Sequence, residues 1–87
     1  EAMGMIYKSI AEEEWETYVT QISQRIASMP TKGLALTKRA LNLSLSASLS
    51  DQLKFEEQLQ TKAGMTADYK EGVQAFLEKR KANFTGN

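Results

Sequence analysis

The sequence has no cysteine and no histidine, and it holds a single proline and a single tryptophan. Without cysteine there is neither a disulfide framework nor a thiolate nucleophile. Without histidine the usual general base and the commonest metal ligand are both missing. A Ser-His-Asp hydrolase, a Cys-His protease or a zincin therefore cannot be assembled from these residues alone, and no metal site is expected. Charge of one sign is also lacking: Lys+Arg and Asp+Glu each number 11. A nucleic-acid binder needs a positive surplus to neutralise phosphates, so no nucleic-acid partner is expected. No apolar run approaches the roughly 20 residues of a membrane span, and no basic and apolar leader precedes the first helical pattern. These absences fit a cytoplasmic chain with no membrane partner. What remains is ordinary globular material, 41% hydrophobic and 25% charged over 87 residues, enough for one small domain of marginal stability. The opening Glu1-Ala2-Met3-Gly4 carries no initiating methionine, as expected of a piece of a longer chain.

Met3 to Ile10 is short, apolar and partly β-branched, which is compatible with one strand. Ser9 and Glu12 have the spacing of a capping box for a helix that follows. From about Glu12 to Met29 the residues Trp15, Tyr18, Val19, Ile22, Ile26 and Met29 recur at three and four, the spacing of one helical stripe. Glu12, Glu13 and Glu14 stand where the helix macrodipole favours anions. Pro30 disfavours helix at Met29 and suits the first turn of a second helix, expected from about Thr31 to Leu45 with Leu34, Leu41 and Leu45 on one face and Leu36, Ala40 and Leu43 beside them. Leu43 to Ser50 alternates like a strand, but helical patterns flank it, so it reads as a fraying helix end and a serine-rich loop. A third helix is expected from an N-cap at Ser50, with Asp51 in its first turn and Gly64 as C-cap. A fourth starts at Thr66 or Asp68, where Asp68 and Glu71 have capping-box spacing, and its stripe is Tyr69, Val73, Phe76, Leu77 and Arg80. Lys79, Arg80 and Lys81 fall where cations complement a helix C-terminus, and Ala82 to Asn87 is a tail. The expected fold class is mainly α, three to four helices after one candidate N-terminal strand. A lone strand has no independent stability, so a real one would belong to a sheet whose other strands lie elsewhere.

The run from Asp68 to Gly86, DYKEGVQAFLEKRKANFTG, closely resembles the C-terminal signature of the enoyl-CoA hydratase/isomerase (crotonase) family: Asp, then Glu-Gly, Ala-Phe, Lys-Arg and a Phe-x-Gly ending. The resemblance is specific, fixing about ten positions at defined spacing. Other features agree in order. EAMGMIYKSI looks like the stretch that closes the family's catalytic core, and the IASMP ending, the Pro30 to Lys38 spacing and Glu56 ahead of Asp68 fit the same pattern. Within the family, GMTADYKEGVQAFLEKR resembles the ring-epoxide isomerases of phenylacetate degradation.

The resemblance implies that residues 1–10 end a catalytic core of β-β-α turns and that residues 11–87 form a C-terminal helical domain that builds a trimer, or a dimer of trimers, and covers the CoA pocket. It implies an acyl-CoA substrate, a thioester enolate held by two backbone N–H groups, and proton transfer by carboxylates, all supplied upstream. No catalytic residue is then expected in this chain, which alone would be inactive, and no cofactor beyond the coenzyme A that the substrate carries. The family positions that line the CoA pocket fall on Phe76 and Lys79. A Phe offers a face or edge to adenine, and a Lys at a helix end is a point charge for phosphate. Two alternatives make different demands. A stand-alone helical interaction module needs stripes that close a core internally, and a small acyl-CoA carrier needs affinity for CoA without partners. Glu56, Glu57 and Asp68 read as solvated or capping carboxylates, Gly72 as a site of close packing, and Trp15 as a core or interface anchor.

Overall fold

The computed structural model describes residues 1–87. A 3₁₀ turn at Glu12–Glu14 leads into α1 (Trp15–Ala27), followed by α2 (Thr31–Ser44), α3 (Leu49–Gly64) and α4 (Ala67–Glu78). There is no strand. Met3 to Ile10 runs as turn and bends, because the backbone of a strand needs a neighbour to take up its N–H and C=O groups and none is present. This segment folds back on α1 instead. The Glu1 carboxylate accepts the Ser9 N–H at 3.1 Å, and the Lys8 ammonium lies 4.9 Å from the centre of the Tyr18 ring.

The helix boundaries follow the sequence, while several caps differ. No Ser9–Glu12 capping box forms: Ala11 precedes the 3₁₀ turn and no side chain caps it. The N-cap of α3 is Ser48, two residues before Ser50, and its hydroxyl accepts the Asp51 N–H at 3.2 Å. Gly64 is the last helical residue of α3, and the right-handed Met65 follows it, so the chain leaves this helix without using glycine's access to positive φ. Thr66 caps α4 by accepting the Tyr69 N–H at 3.1 Å. Asp68 turns away from its own helix end altogether.

The main helix packing is of α2 on α3, with α4 on α3 less extensive. Its centre is Leu59, buried to 4%, with half-buried Leu36, Ala40 and Ala63 about the same hollow; Leu34, Leu43 and Phe55 are half-buried too. Only Leu59, Ala75 and Asp68 are buried in the whole chain. The face of α2 that carries Leu41 and Leu45 is open to solvent, as are Trp15, Val19 and Ile26 on α1. The molecule is accordingly flat and spread, 44 × 39 × 19 Å, with a radius of gyration of 16.4 Å. A compact domain of this length has a radius of gyration of about 12 Å. Its accessible surface of 7388 Å² likewise exceeds the roughly 5,100 Å² of a folded monomer of this mass.

Candidate functional site

α4 is packed the reverse way round from an ordinary surface helix. Its stripe of Tyr69, Val73, Phe76 and Leu77 faces outward, with Phe76 82% exposed. The opposite side, Asp68, Glu71, Gly72 and Ala75, is buried or half-buried under the returning tail. The reason lies in the polar groups of that side. Asp68 accepts backbone N–H groups from Thr85 at 2.7 Å and Gly86 at 2.8 Å, and its own N–H donates to the Asn87 carbonyl at 2.9 Å. The expected capping role of Asp68 is thus replaced by an anchoring one. A tail without partner strands satisfies its backbone donors on this carboxylate. Phe84 lies against Gly72, where an added Cβ would sit 3.5 Å from the ring. That is ordinary van der Waals contact, and no other helix comes within 4 Å, so the close helix packing expected at Gly72 is not what the glycine serves here.

A second carboxylate fastens the start of the tail. Glu71 accepts both guanidinium NH₂ groups of Arg80, at 2.6 and 2.9 Å, and the Asn83 N–H at 2.8 Å. The Arg80 guanidinium, and then the Asn83 amide, hold the Glu71 carboxyl down at about 2. Glu78, which receives Gln74 and the Arg80 Nε, is lowered too, and the paired Arg80 is raised. Between these groups α4 ends in a Schellman-type turn: Arg80 N–H donates to the Ala75 carbonyl at 3.0 Å and Lys79 N–H to Phe76 at 3.2 Å. Lys79 occupies the left-handed position, φ 55, the only non-glycine residue to do so.

The outward stripe of α4, Phe84 from the tail and Pro30 and Gly33 at the start of α2 line an apolar groove of about 460 Å³, with Asp68 among its few polar edges. Phe76 is on this groove. Lys79 is one helical turn further on and does not line it, and it makes no ion pair. The two residues singled out from the sequence are therefore neighbours at the open end of one helix. Glu56 accepts from Gln52 on its own helix face at 2.7 Å and stands apart from both. No three His, Cys, Asp or Glu side chains are grouped to hold a metal ion, and no helix is long and apolar enough to cross a membrane. The anchoring of the tail by Asp68 and Glu71 is not signalled by helical periodicity. The one hint is the pair of acidic residues three apart preceding a Phe-x-Gly ending.

Comparison with known proteins places these features in company. The family model described as enoyl-CoA hydratase/isomerase matches residues 1–87. The 1,2-epoxyphenylacetyl-CoA isomerase of Escherichia coli (strain K12) is 42% identical over 83 residues, covering 95% of this chain and 32% of that protein. A probable enoyl-CoA hydratase of Rhodobacter capsulatus is 39% identical over 84 residues, 97% of this chain and 33% of that protein. Among solved structures, an enoyl-CoA hydratase subunit I from Geobacillus kaustophilus HTA426 superposes with a TM-score of 0.92 at 30% identity, over 100% of this chain and 34% of its own. The chain spans about a third of the length of the curated relatives it matches.

Proposed function

Because the chain belongs to the enoyl-CoA hydratase/isomerase family, we propose that it is the C-terminal helical region of an enzyme acting on acyl-CoA thioesters through a stabilised enolate. Residues 1–10 are read as the end of the catalytic core and 11–87 as the helical part that covers the CoA pocket and joins subunits in a trimer or a dimer of trimers. The carboxylates and the two oxyanion-binding N–H groups of such an enzyme lie outside this chain, so the segment alone has no activity. Within it, Phe76 is assigned to the adenine of CoA and Lys79 to a CoA phosphate. The finer reading is an isomerase of ring epoxides of phenylacetyl-CoA, in keeping with the 42% identity to the Escherichia coli enzyme of that name.

The observation that carries this reading is the reversed packing of α4. A helix that turns Tyr69, Val73, Phe76 and Leu77 to solvent while burying Asp68 and Ala75 is built to be covered by something else. A free-standing module would need those stripes closed inward, and only three residues are buried.

The test is made in the full-length protein that contains this sequence. Lys79→Ala is expected to raise KM for an acyl-CoA by about tenfold, the loss of one charge contact, with a smaller change in kcat. An unchanged KM would remove the CoA assignment. Turnover of a ring-epoxide thioester and of a 2-enoyl thioester, measured side by side, separates the isomerase from a hydratase.

A further inference from the structure

The end of α4 carries a conformation that sets the aim of one side chain. Lys79 has φ 55, in the region where an L side chain crowds its own carbonyl and where glycine or asparagine is the usual occupant. A lysine standing where glycine is easier points to a use for its side chain. The turn is fastened from two turns back along the helix. The Glu71 carboxylate receives Arg80 through both NH₂ groups, at 2.6 and 2.9 Å, and the Asn83 N–H at 2.8 Å. Arg80 also reaches Glu78 and the Lys81 carbonyl at 3.2 Å. The cations at this helix end are therefore divided: Arg80 is consumed internally, and Lys79 is left without a carboxylate partner.

We propose that Glu71 is a positioning residue which, through its two-pronged grip on Arg80, holds Lys79 in the left-handed turn and so directs the Lys79 ammonium toward a phosphate of coenzyme A, an inference that rests on the CoA reading above. A planar guanidinium between two carboxylates fixes direction as well as distance. Glu71 touches no ligand itself. Its negative charge is spent on Arg80 and Asn83 and does not compete with phosphate for Lys79.

The experiment is a double-mutant cycle in the full-length protein, with coenzyme A titrated by calorimetry and with KM and kcat measured for an acyl-CoA. Lys79→Ala weakens CoA binding about tenfold and Glu71→Gln about fivefold, while the double variant binds no more weakly than Lys79→Ala, because the two act along one path. KM rises with Glu71→Gln and kcat stays within about twofold, a split that general loosening of the fold would not give. Unchanged CoA affinity in Glu71→Gln beside a weakened Lys79→Ala overturns the positioning role and leaves the CoA reading standing. Multiplying effects in the double variant overturn it as well, since Glu71 would then act independently of Lys79. No effect of Lys79→Ala removes the CoA reading and the positioning role with it. Should Glu71→Gln not fold, Arg80→Lys, which keeps the charge and loses the fork, takes its place in the cycle with the same expected outcomes.

Discussion

Glu71 has a measurable signature of its own. Its carboxyl lies at about 2, against an ordinary value of 4.5, first because of Arg80 and then because of the Asn83 amide. A carboxylate whose folded value is depressed stabilises the fold fully above its ordinary value and loses that contribution as pH falls toward the folded one. The stability that these contacts lend the fold is thus full above about pH 4.5 and is lost progressively toward about pH 2, where the folded carboxylate itself takes up its proton and the grip on Arg80 and Asn83 lets go. An NMR titration of the Glu71 carboxyl carbon, followed with the Asn83 amide, checks this, and a midpoint near 4.5 would show that the pair does not hold in solution. Glu71 is partly open to water, so added salt should move the midpoint upward.

At the scale of the element, the N-cap of α3 separates two serines that look alike in sequence. Ser48→Ala removes the hydroxyl that accepts the Asp51 N–H and is expected to cost about 1 kcal/mol. Ser50→Ala, inside the first turn, should be nearly neutral. Thermal unfolding followed by circular dichroism at one protein concentration distinguishes them, and equal losses would return the cap to Ser50. Helices α1, α2 and α4 were legible in the three-and-four spacing of apolar residues, α3 in its capping residues, and the break at Pro30 in the proline's restriction of the residue before it. What periodicity could not carry was polarity of facing. On α2 Leu36, Ala40 and Leu43 are half-buried, and of the expected face Leu34 is half-buried while Leu41 and Leu45 are exposed. On α4 the apolar stripe is the outer side. Spacing marks the apolar stripe of a helix and not which of its sides the rest of the chain covers. The Asp68 contacts to Thr85 and Gly86 and the Glu71 contact to Asn83 were illegible for a related reason: they join a helix to a tail by backbone amides, whose positions no side-chain pattern encodes. Phe76 and Lys79 came from the family signature, and the fold makes them neighbours.

For the whole molecule the governing quantity is surface. The 7388 Å² exposed is about 2,300 Å² more than a folded monomer of this size shows, an excess in the range of an obligate interface. The large exposed side chains, among them Trp15, Leu41, Leu45, Leu49, Phe76 and Leu77, supply it. The isolated chain is therefore expected to self-associate, with a mass by light scattering well above its 9.7 kDa and rising with concentration. A monomer across a wide concentration range would count against the reversed packing of α4.

The tail has a consequence in time as well as in space. Gly86, at φ 81, lies so near α2 that a Cβ there would meet the Thr31 hydroxyl at 2.7 Å, while its N–H is held by Asp68. The last residues thereby buckle the beginning of α2 to the beginning of α4, closing a loop that spans more than half the chain. The α2–α3 hairpin is made of near neighbours and can zip locally, but the buckle must wait for the longest closure in the molecule. Its two ends are small and polar, with little hydrophobic reward for meeting early. In a refolding experiment the approach of Gly86 to Thr31 would be among the last to form, while the Asp68–Gly86 contact, which joins residues only 18 apart, and α1, which lies outside the loop, need not wait for it.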